Sequence, residues 1–214
     1  MAKVFLGVGH GGSDPGAVAN GVKEKDLNLA IALACRDELE RHSVQVLMSR
    51  TKDENDSLEE EIRECNAFAP DLAIDIHNNA GGGDGAEAFY HIGGGQSKAM
   101  AENVLAEIVK IGQNSRGAKT KTNDAGRDWY GFIRETSAPA CIVECCFVDN
   151  ATDLQILDTA AEQKAMGVAI AKGLLKTLGI AWKEPTAPAP AAKVYSLSLS
   201  KLKAEGYTSV EIKL

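Results

Sequence analysis

Hydrophobic positions in the first 182 residues follow two alternating patterns. Short apolar runs predict β-strands at 4–9, 44–49, 72–77, 86–91 and 141–148. Between them, apolar residues recur every three to four positions, which predicts helices at 27–41, 58–68, 98–111 and 160–178. The runs 72–76 and 141–147 are apolar on both faces, as in central strands that helices cover from both sides. The pattern therefore predicts an α/β sandwich.

This pattern stops after Trp182. Residues 183–193 include three of the six prolines, and such a composition is typical of a semi-rigid extended linker. The remaining segment, 194–214, predicts a short helix at 197–204 and a strand at 208–214, too little to bury a core of its own. We therefore predict a domain at 1–182, a linker at 183–193 and a short C-terminal αβ segment at 194–214.

Charge and hydropathy exclude two classes of function. The formal net charge is -7 and no basic stripe is present, which argues against nucleic acid as a partner. No apolar run approaches the roughly 18 residues that a membrane span requires, so no membrane insertion is expected. The N-terminal apolar run is too short for a secretory signal, and the five irregularly spaced cysteines suit a reducing compartment, so we expect cytoplasmic synthesis.

Two histidines lie where predicted strands end. His10 follows the first strand and His77 closes a central one, so both belong to the sheet edge at which α/β proteins bind ligands. Glu24 comes just before Asp26, a plausible N-cap of the following helix, and it belongs to the same edge. Two imidazoles and one carboxylate leave a position for water, as in hydrolytic zinc sites. His10, Glu24 and His77 are therefore the predicted Zn²⁺ ligands, although Glu24 has an alternative role in favouring the helix N-terminus electrostatically.

Glu144 is an acidic residue inside an otherwise apolar strand. An unpaired carboxylate is costly there, so it requires a partner or a task. Near a zinc-bound water it would act as the general base and then as proton donor to a leaving amine. A cysteine nucleophile is the weaker alternative, because no histidine is locally paired with any of the thiols.

Six motifs in order support this site. They are GHGGSDPGA, Glu24 before LNLAIA, SRTKDE, DLAIDIHNNA, GAEAFY and PACIVECCFVDN. Together they resemble the zinc-dependent N-acetylmuramoyl-L-alanine amidases of the type-3 class. The resemblance implies a twisted, mostly parallel sheet flanked by helices, cleavage of the bond between N-acetylmuramic acid and L-alanine of peptidoglycan, the same three ligands and a catalytic Glu144.

The resemblance also marks departures and substrate contacts. Asp75 and Asn78 stand where the family more often has serine and alanine, and Cys145-Cys146 stands where small residues are common. Arg134 resembles a family position near the active site, although a surface ion pair is an equal alternative. We predict substrate contacts for Asn78 and Arg134.

The expected biological setting is cell-wall lysis. An enzyme made without an export signal would reach peptidoglycan only through a membrane lesion, which favours a phage or prophage endolysin, with a mother-cell autolysin as the alternative. The segment 194–214 would then be a truncated wall-binding domain or a site of self-association. A zinc peptidase acting within the stem peptide and a wall-binding module without catalysis are the competing functions.

Overall fold

A six-stranded sheet forms the centre of the computed structural model, which describes residues 1–185. The strands are β1 (Lys3–Val8), β2 (Val18–Ala19), β3 (Val22–Lys23), β4 (Gln45–Met48), β5 (Leu72–Asn79), β6 (Ala86–Tyr90), β7 (Ser115–Lys119) and β8 (Ala140–Phe147). The helices are α1 (Glu24–Arg41), α2 (Leu58–Phe68), α3 (Gln96–Lys110), α4 (Gly131–Glu135), α5 (Ala151–Leu154) and α6 (Ala160–Thr177).

The order of the strands across the sheet is β4-β1-β5-β8-β6-β7, and β2 pairs with β3 in a separate hairpin. Neighbours are parallel except β6 and β8, which run antiparallel. The mostly parallel α/β sheet that the resemblance implied is therefore confirmed.

Side chains that alternate along each strand divide the core into two layers. On β1, Val4, Leu6 and Val8 pack with residues of α1, α3 and α6 in the larger cluster. Phe5 points to the opposite face and packs with Phe132 of α4 and other residues in a smaller cluster. Helices thus lie on both faces, and the face of α2 and α4 also carries the polar residues of the site described below.

Within residues 1–182, all five predicted strands and all four predicted helices are present. The sequence pattern missed β7 and α4, and also the short elements β2, β3 and α5. The strand β7 has the sequence SRGAK, which contains no apolar alternation, and the other four elements have only two to five residues each. They were missed because periodicity requires several apolar positions before it becomes a signal.

The start of α1 corrects the prediction. The helix begins at Glu24, with Lys23 rather than Asp26 at the N-cap and no side-chain cap. The backbone amide of Glu24 donates to the carbonyl of Ala17, and that of Lys25 donates to the carbonyl of Pro15. The preceding loop thereby satisfies the first helical amides, so no capping side chain is needed.

Residues Met1–Trp182 form one compact unit. Most of the predicted linker and all of the segment 194–214 lie outside the described residues, so their helix, strand, wall binding and self-association stay predictions. Within residues 1–185, no helix is both long and apolar enough to cross a lipid bilayer.

Candidate metal centre and catalytic carboxylate

Three elements bring the predicted metal ligands together. His10 lies just beyond β1, His77 lies on β5, and Glu24 is the first residue of α1. Since β1 and β5 are parallel neighbours, paired at Val8 and Ile76, their carboxyl ends meet at one edge. His10 has φ 62°, so the chain turns sharply as it leaves β1. The two imidazole rings lie 5.1 Å apart at their centroids.

Glu24 lies between the two histidines. Its Oε2 is 3.2 Å from Nε2 of His10, and its Oε1 is 3.0 Å from Nδ1 of His77. One ligand atom from each of the three residues lies within 4.8 Å of the others. Two imidazole nitrogens and one carboxylate oxygen are a donor set that suits a divalent cation such as Zn²⁺. The site therefore fits the predicted metal.

Hydrogen bonds from three N–H groups fix the carboxylate of Glu24. Its Oε2 accepts from the amide of Ala17 at 2.9 Å, and its Oε1 accepts from the amide of Asn78 at 3.1 Å and from Nδ2 of Asn28 at 3.3 Å. The side chain is buried. Its orientation is therefore set by the backbone before any ligand arrives.

The second nitrogen of each histidine faces an aspartate. Nδ1 of His10 is 2.7 Å from Oδ2 of Asp14, and Nε2 of His77 is 3.0 Å from Oδ2 of Asp75. Histidines that bind metals commonly donate their other N–H to a carboxylate, which fixes the tautomer. Both imidazoles have this arrangement.

His10, Glu24 and His77 strongly shift one another's pKa values. Burial alone would raise the pKa of Glu24, but hydrogen bonds with His10 and His77 hold it far below its ordinary value. The hydrogen bond with Glu24 raises the pKa of His10. Burial lowers the pKa of His77, and the carboxylates of Asp75 and Glu24 override it, so that it ends well above its ordinary value. A bound cation would take the place of these protons.

Glu144 completes the site from the next strand. It lies on β8 directly opposite His77 on β5, and its Oε2 is buried without a hydrogen-bond partner among the described residues. Burial raises its pKa to about 7, with further upward contributions from Glu24 and Asp75. A carboxyl group with that pKa can accept and return a proton near neutral pH. The structure thus brings all four predicted residues together.

The pocket at this edge has an aromatic side. Its lining includes His10, His77 and, from the segment around α4, Tyr130 and Phe132. Burial raises the pKa of Tyr130 to about 12, so its hydroxyl stays protonated. The pocket therefore presents a hydrogen-bond donor and apolar surface beside the metal ligands.

Comparison with known proteins decides the family. Residues 4–176 match the family described as N-acetylmuramoyl-L-alanine amidase. The chain belongs to this family. The predicted resemblance and the predicted enzyme class are both confirmed.

Curated relatives extend over most of this amidase chain. It is 38% identical to the N-acetylmuramoyl-L-alanine amidase CwlM of Bacillus licheniformis, covering 84% of this chain and 70% of that protein. It is 35% identical to the sporulation-specific N-acetylmuramoyl-L-alanine amidase of Bacillus subtilis, covering 81% and 67%. It is 34% identical to the endolysin of Bacillus phage SPP1, covering 82% and 68%.

Solved structures agree with the fold of the amidase. Cwp6 from Clostridium difficile is 36% identical with a TM-score of 0.81, over 83% of this chain and 29% of that one. The catalytic domain of CwlV, an amidase from Bacillus (Paenibacillus) polymyxa var. colistinus, is 26% identical with a TM-score of 0.76, over 85% of this chain and 100% of that one. The fold is thus that of an amidase catalytic domain.

Sequence reasoning missed two residues that support the ligands of the amidase. Asn28 is fully buried on α1, where its Nδ2 donates to the carbonyl of Gly9 and to Glu24. Arg50 is also buried, and its guanidinium donates to the carbonyls of Val8, Gly9, Lys25 and Lys52. A signal existed for each: Asn28 interrupts the apolar face of its helix, and Arg50 lies in the SRTKDE motif.

The two predicted substrate contacts do not join the site directly. Asn78 is 2% exposed, and its side chain bonds to Asn28 and to the thiol of Cys146. Its side chain points to the opposite face of β5 from His77, toward α1. Arg134 donates to the carbonyls of Asp128 and Trp129, next to Tyr130. Arg134 also forms the ion pair that was its alternative, with Glu135 at 2.9 Å. A substrate contact for either residue stays a prediction.

Proposed function

We propose that this amidase hydrolyses the amide bond between N-acetylmuramic acid and L-alanine of peptidoglycan, with Zn²⁺ held by His10, Glu24 and His77. The observation that carries the proposal is the convergence of these ligands beside Glu144. The peptidoglycan amidases named among the relatives support the choice of bond.

In this proposal, the three ligands would hold a cation that, when bound, would polarise the amide carbonyl and lower the pKa of a water to about 7. Glu144 accepts a proton from the attacking water and then delivers it to the amine that leaves with L-alanine. Burial of the Glu144 carboxyl group raises its pKa above the ordinary range, which favours uptake of the proton. Tyr130 and Phe132 form the adjacent wall of the pocket.

Digestion of purified peptidoglycan tests the bond. The expected result is new L-alanine amino termini without new reducing sugars, and none with Glu144→Gln. Glu102→Gln is the matched control, because Glu102 is an exposed residue on α3 whose ion pair is with Lys98. Cleavage confined to the interior of the stem peptide would instead identify a zinc peptidase, and full activity of Glu144→Gln would remove Glu144 from the mechanism.

Metal analysis tests the cofactor. We expect close to one zinc per chain after purification, loss of activity on chelation and recovery on addition of Zn²⁺. Replacing His10 or His77 by alanine should abolish both zinc binding and hydrolysis. Full activity in protein freed of all divalent metal would refute the zinc mechanism.

For the biological setting, we propose an endolysin that acts on the wall after a membrane lesion, supported by the similarity to the SPP1 endolysin. The sporulation-specific relative of similar identity supports a mother-cell autolysin as the alternative. Protein levels in the native host distinguish them. Accumulation during prophage induction supports the endolysin, whereas accumulation only during sporulation supports the autolysin.

A further inference from the structure

The imidazole of His77 faces two carboxylates in opposite directions. Nδ1 is 3.0 Å from Oε1 of Glu24, inside the ligand cluster, whereas Nε2 is 3.0 Å from Oδ2 of Asp75, outside it. The nitrogen that binds a metal must be free of its proton. If Nδ1 serves the cation, the single proton of the neutral ring lies on Nε2, where a carboxylate oxygen is positioned to accept it.

Asp75 is a buried carboxylate with only one oxygen hydrogen-bonded among the described residues. It is 4% exposed, and its Oδ1 has no hydrogen-bond partner within residues 1–185. An unpartnered carboxylate oxygen in the interior is unfavourable for stability. Among the described residues, the hydrogen bond of the Asp75 side chain is the one with His77, and its other oxygen lies near the buried carboxyl group of Glu61.

The fold leaves space for this carboxylate. Gly7 on β1 is paired with Asp75, and a Cβ at Gly7 would lie 2.7 Å from Oδ1 of Asp75 and 2.0 Å from Oε1 of Glu61. Any other residue at position 7 would displace one of the two acidic side chains. Glycine therefore permits Asp75 to reach the ring of His77.

His10 also lies between Glu24 and an aspartate, with the roles of the two ring nitrogens exchanged. His10 directs Nε2 at Glu24 and Nδ1 at Asp14, with a distance of 2.7 Å to the aspartate oxygen. Asp14 lies four residues after His10 in a loop, whereas Asp75 lies two residues before His77 on the same strand. Each histidine therefore faces an aspartate at the ring nitrogen that does not face Glu24.

We infer that Asp75 is a positioning residue that holds His77 with its proton on Nε2 and its Nδ1 directed at the metal. This inference rests on the proposed metal site. The carboxylate of Asp75 restricts rotation of the imidazole and makes Nδ1 a better electron-pair donor to the metal. Loss of such a partner typically weakens metal binding by about 10- to 100-fold. In this role Asp75 acts on the cation through the imidazole of His77.

Zinc affinity of the purified full chain tests the inference without any substrate. Competition with a chromophoric chelator should show that Asp75→Ala raises the Kd for Zn²⁺ by about 10- to 100-fold. Asp75→Asn, which keeps a neutral acceptor, should raise it less. Asp71→Asn is the matched control, since Asp71 precedes the same strand and bonds instead to the amide of Lys3. A Kd for Asp75→Ala within about twofold of wild type would overturn the inference.

Two further readouts separate positioning from a structural role. Imidazole ¹⁵N spectra of zinc-loaded wild type should show His77 protonated at Nε2 and coordinated through Nδ1, and coordination through Nε2 would overturn the inference even if a variant fails to fold. Urea unfolding of metal-free Asp75→Ala should show lower stability, because the variant leaves Nε2 of the His77 imidazole without its carboxylate partner. Lower stability with unchanged zinc affinity would mean that Asp75 is merely structural.

The outcomes are also distinct from those of the proposed function. A wild-type protein that binds zinc through Nδ1 of His77 and does not cleave peptidoglycan would refute the amidase proposal alone. One that cleaves peptidoglycan with Nε2 on the metal would refute only the role of Asp75.

Discussion

Substitution of Glu144 by glutamine should stabilise the metal-free protein while removing activity. Glu144 lies on a strand that is buried on both sides, and its Oε2 has no hydrogen-bond partner in the described part of the chain. Burial raises its pKa from 4.5 to about 7, so the folded protein resists ionisation of this side chain. Glutamine has nearly the same shape and no charge, and it removes this penalty.

The size of the effect follows from the pKa. Each pKa unit corresponds to about 1.4 kcal/mol, so ionised Glu144 destabilises the folded state by about 3 kcal/mol. The size of this penalty depends on pH because the folded pKa is the higher one. Below the unfolded pKa of 4.5 both states carry the proton and nothing is lost; stability falls as pH rises from there to about 7, and the full penalty is present above that. The stabilisation by glutamine should therefore be below about 1 kcal/mol near pH 5 and about 3 kcal/mol near pH 8.5.

Urea unfolding in the presence of a chelator, at both pH values, measures this difference. Glu102→Gln is the control and should leave the free energy of unfolding unchanged at each pH. A gain for Glu144→Gln that is equal at the two pH values would show that shape rather than charge is responsible. No gain at the alkaline pH would refute the claim that Glu144 is destabilised by burial.

Two further predictions concern residues that support the fold and the site. Arg50→Lys should reduce kcat/KM by about tenfold or more with zinc bound, because an ammonium group cannot bond at once to the carbonyls of Gly9 and Lys25, which neighbour His10 and Glu24. Steady-state hydrolysis measures this, and wild-type kinetics would contradict it. Gly173→Ala should destabilise the protein by about 1–3 kcal/mol, because its Cβ would lie 2.5 Å from Cα of Val104 where α6 packs on α3; thermal unfolding measures this, and an unchanged Tm would contradict it.

The convergence of the three proposed metal ligands could be predicted because the signal was topological. A histidine directly after one apolar strand and another at the end of a second must meet if the strands are parallel neighbours, as β1 and β5 are. Glu144 was recognised from local composition instead, because it is the acidic residue of the otherwise apolar strand β8. Its position opposite His77 needed the register of β5 and β8, which no local pattern contains.

Features that depend on tertiary hydrogen bonds were beyond prediction. The first residue of α1 is set by carbonyls of Pro15 and Ala17, seven to ten residues upstream of the amides they accept from. Arg50 satisfies its guanidinium with backbone carbonyls from three segments, so neither a paired charge nor a periodic position marks it. The inward orientation of Asn78 likewise appears only when β5 packs against α1.

The order of the proposed catalytic residues along the chain has a consequence for when activity can arise. His10, Glu24 and His77 belong to the first half of the polypeptide, whereas Glu144 arrives on β8, after β6, α3 and β7. A ribosome therefore synthesises the three proposed ligands well before the proposed base, which joins them only when β8 inserts between β5 and β6. A nascent or truncated chain that ends before β8 lacks the proposed base, so we expect hydrolysis only after this central strand has joined the sheet.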